Sequence, residues 1–159
     1  MADKPFQHHY PDHLNHCYGC GRLNEHGLQI QSFWDGPGGE EAVCRFTPKP
    51  HHTAIPGFVY GGLLASLVDC HSTGTAMAAA YRAEGREMGS EPALRFLTAS
   101  LKVDFKRPTP IGGELEIRAR AVEVKGRKVV VESRVIAGGE VCATGLVVAV
   151  RAPEHLFKD

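Results

Sequence analysis

The hydrophobic pattern changes period along the chain. From Val59 to Tyr81 the sequence runs without proline, with Leu63, Leu64, Leu67, Val68 and Met77 set among Ala65, Ala76, Ala78, Ala79 and Ala80. Apolar and small residues go all the way round this helix, and a helix without a polar face is buried on most sides. A charged link over 82–92 follows, then four strand-like segments, roughly 93–107, 114–125, 127–137 and 140–151. In the second, Leu115, Ile117, Ala119 and Ala121 alternate with Glu114, Glu116, Arg118 and Arg120 until the phase slips at Val122 and Val124. That slip predicts a β-bulge. Gly112-Gly113, Lys125-Gly126 and Gly138-Gly139 fall where turns are needed, so the four strands read as an antiparallel meander.

Upstream of the helix, Leu28–Trp34 and Ala42–Thr47 read as a hairpin across Asp35-Gly36-Pro37-Gly38-Gly39. Pro48, Pro50 and Pro56-Gly57 make 48–58 a loop, and residues 1–27 form a polar, His-rich arm containing the knuckle Cys17-Tyr18-Gly19-Cys20-Gly21. The order hairpin, buried helix, meander predicts an α+β architecture in one domain, 1–159, with arm 1–27 and central helix 59–81. One curved antiparallel sheet wrapped round the helix, the hotdog arrangement, buries that helix. A sandwich with the helix on one face leaves an apolar stripe in water.

Composition narrows the function. Lys and Arg number 18 against 18 Asp and Glu, and the pI is near 7.1. This balance argues against a nucleic-acid or membrane-surface binder. No apolar run approaches the ~20 residues of a spanning helix, and the polar start lacks the apolar core of a secretory signal. The expected location is therefore cytoplasmic. Charge is uneven, however: residues 101–134 hold nine Lys or Arg against five Asp or Glu. Solvated strand faces account for such a run, and an anion site for a phosphorylated ligand is the sharper alternative. Five cysteines, Cys17, Cys20, Cys44, Cys70 and Cys142, are an odd count that in a reducing compartment reads as free thiols or a metal site, not disulfides.

Asp69 is the only formally charged residue between Val59 and Tyr81. Burying a carboxylate costs several kcal/mol unless it is hydrogen-bonded, so Asp69 is either satisfied locally, with Ser66, His71, Ser72 and Thr73 as nearby partners, or kept for chemistry. The helix opens with Tyr60-Gly61-Gly62, whose first-turn N–H groups point outward and favour a developing oxyanion. Close packing of the helix end is the structural alternative. Gly62 and Asp69 share a face but lie roughly 10 Å apart along the axis. One acyl carbonyl cannot touch both, so cooperation between them requires two chains.

Gly57-Phe58-Val59-Tyr60-Gly61-Gly62-Leu63-Leu64-Ala65-Ser66-Leu67-Val68-Asp69 resembles the helix-start motif of the PaaI-like hotdog acyl-CoA thioesterases, HGG, six intervening residues, then Asp. His16-Cys17-Tyr18-Gly19-Cys20-Gly21-Arg22-Leu23-Asn24-Glu25-His26-Gly27-Leu28 is similar to an HxCFGCGxxNPxGL arm on a branch of that superfamily. The resemblance implies that Asp69 is general base or nucleophile in thioester hydrolysis and that the Gly61 N–H receives the oxyanion at a dimer interface. It also implies that Thr98, ten residues before Pro108, orients water. With Leu101, Val103 and Phe105 inward, a regular strand turns Thr98 outward, so this role requires a bulge or a two-sided site.

The chain departs from the motif in two places. Tyr60 stands at the family's His, and Ala54 where some members carry an oxyanion-binding Asn. His51 and His52 lie in the same loop. Tyr60 and Gly62 are expected beside the substrate, and Arg107 with the hairpin tip Lys125-Gly126-Arg127-Lys128 is expected to clamp coenzyme A phosphates, chiefly through Arg127 and Lys128. No cofactor is expected. The Cys knuckle lacks a second Cys-x-x-Cys or His-x-x-x-His partner for a four-ligand zinc site, even counting His16, His26 or Cys44, so it reads as metal-free packing of the arm over a neighbouring subunit. The expected partners are acyl-CoA and further copies in a homodimer or homotetramer, with neither nucleic acid nor membrane. Three functions stay open: acyl-CoA thioesterase, acyl-thioester dehydratase or hydratase, and non-catalytic acyl-CoA binder.

Overall fold

A computed structural model describes residues 3–158. Its main elements are β1 (Phe33–Trp34), β2 (Ala42–Phe46), α1 (Gly61–Ala83), β3 (Phe96–Phe105), β4 (Leu115–Lys125), β5 (Lys128–Ala137) and β6 (Glu140–Arg151). The six strands form one antiparallel sheet in the order β1-β2-β4-β5-β6-β3, with α1 packed across it. This is the α+β, hotdog-like arrangement that the pattern predicts.

The expected helix begins two residues late. Val59 is held extended by a bridge to Thr53 and by donating its N–H to the Thr109 carbonyl at 2.8 Å, so winding starts at Gly61. At the other end the helix continues to Ala83 before Gly85 turns away with φ +64°. The predicted strand 28–34 shrinks to Phe33–Trp34 for a related reason. Gln29 takes φ +52°, and the Leu28 and Ile30 N–H groups donate to the Tyr18 and Gly19 carbonyls of the arm, not to a sheet neighbour.

The four-strand meander is corrected to three strands. β4, β5 and β6 are consecutive neighbours, but β3 pairs with β6 at the far edge because β2 occupies the other side of β4. The link 106–114 crosses the start of α1 on the way, with the Ile111 N–H donating to the Gly57 carbonyl. The predicted slip in β4 is a bulge at Val122, skipped in the register between Ala121 and Glu123. β3 has its own bulge at Ala99, between Thr98 and Ser100.

Two apolar clusters fill the space between helix and sheet. Leu63, Leu64, Leu67 and Val68 pack with Ile30, Leu115, Ile117 and Val147, whereas Ala76, Met77 and Tyr81 pack with Phe6, Leu94, Val131 and Ala149. Full burial of each large aliphatic chain contributes ~1.5–3 kcal/mol. Gly145 lets the two layers meet: a Cβ there would lie 2.4 Å from Val68 Cγ1. Outside, the cation-rich strands face acids from the hairpin. Arg118 pairs with Asp35 at 2.7 Å and Glu41 at 3.2 Å, and Arg134 pairs with Glu41 at 2.8 Å. Much of the cationic excess is thus a solvated, neutralised strand face. No helix of the described residues is long and apolar enough to cross a membrane.

Candidate functional site

Gly62, Ser66, Asp69 and Thr73, spaced by four, three and four, form a half-buried stripe on α1 that is set toward the β3 edge. Thr98 Oγ1 donates to Asp69 Oδ1 at 2.6 Å and lies 2.9 Å from Thr73 Oγ1. A hydroxyl has one proton, so with Thr98's committed to the carboxylate, Thr73 donates to Thr98. The result is a directed chain, Thr73 to Thr98 to Asp69. Thr98 reaches it through the Ala99 bulge, which restores Thr98 to the helix-facing side shared by Leu101 and Phe105: their register partners Ala149, Val147 and Ala143 are all fully buried.

The partners that proximity in sequence offered Asp69 do not reach its carboxylate, and the buried Ser72 hydroxyl has no hydrogen-bond partner among the described residues. Ser66 donates back to the Gly62 carbonyl, Ser72 is buried elsewhere, and His71 faces the core. Among the described residues Thr98 is the only hydrogen-bond partner of the Asp69 carboxylate. Asp69, Thr73 and Thr98 line a cleft of about 270 Å³ with Tyr10, Leu14, Phe96 and Phe157, a mostly apolar wall.

Gly61 opens on a different cleft, lined by Phe58, Val59, Leu64, Phe105 and Arg107. It lies about 12 Å from Asp69 along the helix axis. Tyr60 is the N-cap residue, with φ −61° and ψ 130°, and no side chain caps the first turn. The Gly61 N–H therefore has no acceptor one turn back within the helix. The Tyr60 ring lies over Gly62, where a Cβ would come within 2.4 Å of the ring, so a larger residue there must displace the Tyr60 side chain. The Tyr60 N–H donates to the His52 carbonyl, while the His51 and His52 rings meet edge to face outside the cleft.

The predicted phosphate contacts do not converge within one chain. Arg107 pairs with Glu140 at the start of β6, whereas Lys128 stands opposite Val150 at its end. Arg127 donates to the Arg151 carbonyl at 2.7 Å, and Lys128 lies 3.4 Å from Glu123.

Spacing did not bring Cys70 to the Cys knuckle; the fold does. The sulfurs of Cys17, Cys20 and Cys70 lie within 4.8 Å of one another, with Cys17 and Cys70 at 3.9 Å. The arm folds onto its own α1: a Cβ on Gly19 would sit 2.3 Å from Cys70 Sγ. Hydrogen bonds from the Cys20 and Cys70 thiols, reinforced by backbone N–H groups of Cys20 and Gly19, hold Cys17 down to about 2. The proton shared with Cys17 pushes Cys20 up to about 12, and Cys70 is raised by the same contacts together with burial. Cys44, buried in β2, and His16 and His26 lie outside this cluster. A third thiol next to Asp69 in sequence was the available signal, but nothing local couples position 70 to positions 17 and 20.

Sequence reading also missed a buried polar network. Gln7 Nε2 donates to Ser32 Oγ at 2.9 Å, and Ser32 Oγ lies 2.8 Å from His71 Nδ1. His71 Nε2 faces the Ala42 carbonyl at 3.2 Å, which can only accept, so Nε2 carries the proton and Nδ1 accepts from Ser32. Burial lowers the His71 pKa to about 4.

The thioesterase superfamily model matches residues 56–144, from the loop before α1 into β6. A thioesterase superfamily protein from Shewanella loihica PV-4 is 46% identical, with TM-score 0.67, covering 91% of this chain and 100% of that one. The Escherichia coli PaaI protein, from the phenylacetic acid degradation operon, shares the fold at TM-score 0.63 and 17% identity, covering 79% and 81% of the two chains. Acyl-coenzyme A thioesterase THEM4 of Xenopus laevis is 37% identical over 87 residues, 55% of this chain. The aligned region spans only 33% of that relative's length. The family match takes in the whole of α1 with Asp69 and the strand that carries Thr98, and by that match the chain belongs to the thioesterase superfamily.

Proposed function

We propose that this protein hydrolyses an acyl-CoA thioester to a free acid and CoA, with Asp69 and the Gly61 N–H of two different copies completing each site. The observation that carries this reading is the separation of the two groups. Asp69 and Gly61 open on distinct clefts of one chain, and both border β3. Among the described residues β3 pairs only with β6 and leaves its outer edge open, and Leu101 and Phe105 on its helix side are 41% and 55% exposed. A long apolar edge strand of this kind invites another strand.

Antiparallel pairing of two β3 edges about a two-fold axis at Lys102, with the bulged Ala99 skipped in the register, sets Thr98 of one copy opposite Phe105 of the other. Phe105 packs against Gly61, whose Cβ position lies 3.3 Å from the ring. The pairing thus carries the first turn of one helix toward Asp69 of the other. It also carries Arg107 toward the end of the second copy that bears Arg127 and Lys128, which makes a shared phosphate clamp a feature of the dimer.

Asp69, oriented by Thr98, either takes a proton from water as water attacks the thioester carbon or attacks that carbon itself. The carbonyl oxygen becomes an oxyanion facing the Gly61 N–H, with Gly62 allowing close approach and Tyr60 alongside. Collapse breaks the carbon–sulfur bond and expels the CoA thiolate; water supplies the hydroxyl of the acid, directly or by opening the acyl-enzyme. The acyl-coenzyme A thioesterase relative THEM4 and the superfamily match support this chemistry. A protein that holds acyl-CoA without cleaving it is the second reading, favoured by Tyr60, a phenol where the resembling motif carries an imidazole. Thiol release across short, long and aromatic acyl-CoAs separates the two.

Complementation tests the sharing. Proline is best tolerated at the first helical position, and Tyr60 already has the extended backbone that precedes proline, so Gly61→Pro removes the N–H with little cost to the fold. Asp69→Asn and Gly61→Pro are each expected to be nearly inactive. Random co-assembly of the two is expected to restore about a quarter of parental activity, because half the dimers then contain one intact site of two. No recovery on mixing places both groups in one chain and overturns the shared site.

A further inference from the structure

We propose that Cys17, Cys20 and Cys70 bind a thiophilic divalent metal ion, zinc in the first instance, which staples the N-terminal arm to α1 at the wall of the Asp69 cleft. This goes beyond thioester hydrolysis and does not depend on it. The objection raised by spacing alone was the missing ligands, and the fold supplies one of them. Cys70 projects from the third turn of α1 toward the knuckle, and the three sulfurs lie mutually within 4.8 Å. The separation of Cys17 and Cys70, 3.9 Å, matches the ~3.8 Å edge of a tetrahedron with metal–sulfur bonds of about 2.3 Å.

The backbone is shaped for such a cluster. The Gly21 N–H donates to the Cys17 carbonyl at 2.8 Å, closing a turn that sets Cys17 and Cys20 side by side. Gly19 gives the knuckle room to approach Cys70 Sγ, and a Cβ on Gly21 would lie 2.5 Å from the Cys17 nitrogen. A disulfide does not account for this arrangement, since it draws two sulfurs to about 2.05 Å and leaves the third without a role.

Among the described residues no fourth His, Cys, Asp or Glu joins the cluster. Cys17, Cys20 and Cys70 all line the cleft that holds Asp69, so the fourth position falls to solvent from that cleft. Residues 13–30 contain no strand, and the Leu28 and Ile30 N–H groups hang on the knuckle's own carbonyls. A metal at this point ties the whole segment to the helix.

The test uses the untagged full chain, produced with zinc in the medium and desalted. The expected result is about one zinc per chain by elemental analysis. Replacing zinc with cobalt(II) is expected to give near-ultraviolet thiolate charge-transfer absorption and the strong visible bands of a tetrahedral ion. Cys17→Ser, Cys20→Ser and Cys70→Ser are each expected to cut retained zinc by about tenfold or more, whereas Cys142→Ser leaves it unchanged. Because Cys70→Ser risks misfolding, alkylation of the unmodified protein gives an independent readout: zinc is expected to shield Cys17, Cys20 and Cys70, while chelated protein alkylates at all three. Absence of zinc with equal alkylation in both states overturns the proposal. So does a disulfide within the cluster with no metal uptake after reduction, or zinc that survives replacement of all three cysteines and therefore sits on histidines elsewhere.

Discussion

Asp69 and His71 lie two residues apart on one helix and are treated in opposite ways by the fold. His71 is fully buried and both ring nitrogens are used, one by Ser32 and one by the Ala42 carbonyl. Asp69 is half-buried and, among the described residues, is held through Oδ1 alone, by Thr98. A polar group with every valence filled by the protein specifies packing. One whose second oxygen faces a cleft is oriented and still able to react. The contrast separates polarity that serves the core from polarity that serves a substrate.

The largest effect should come from Asp69. Asp69→Asn keeps the shape and the bond from Thr98 but removes the basicity, so thiol release is expected to fall by about 10²–10⁴ while the urea midpoint stays close to that of the parent. A parallel loss of stability would erase the contrast, and activity within a few-fold of the parent would make Asp69 a satisfied structural residue. His71→Ala should do the reverse. It leaves the Ser32 hydroxyl and the Ala42 carbonyl short of a partner and opens a cavity, at a cost of about 2–4 kcal/mol in urea unfolding, with activity per folded molecule little changed.

The pH dependence of stability sharpens the His71 side. The folded ring takes up its proton near 4 and the unfolded ring near 6.5, so the unfolded state binds more protons between these values. This contribution is complete above about pH 6.5, falls as the pH drops, and levels off below about pH 4, for a loss on the order of 3 kcal/mol. In His71→Phe that part of the slope should disappear from urea midpoints measured across the range. The smallest effect is expected at Thr98. Thr98→Val removes the donor to Asp69 and should lower kcat by about tenfold with KM nearly constant, and Thr98→Ser should recover most of the loss.

Much of this molecule was legible in its local pattern. The phase slip at Val122 was visible because a bulge reverses alternation within a single strand, and the conflict between Thr98 and the Leu101, Val103, Phe105 parity left a bulge or a two-sided site, of which the fold has the bulge, at Ala99. Asp69 stood out because one carboxylate in an apolar helix is costly wherever the helix lies. The place of β3 was not legible. A short link after a strand favours the adjacent position, and only competition from β2 for the same edge of β4 sends β3 to β6.

The sequence by itself determined the element types, the burial of α1 and the presence of one unusual carboxylate, since period, turn residues and charge act over a few positions. Tertiary structure decided which groups meet. It set Thr98 on Asp69 across 29 residues, Cys70 on Cys17 across 53, and Ser32 on His71 across 39. Such contacts depend on the path of the chain between the partners, and periodicity says which face a side chain takes but not what the rest of the fold brings to that face.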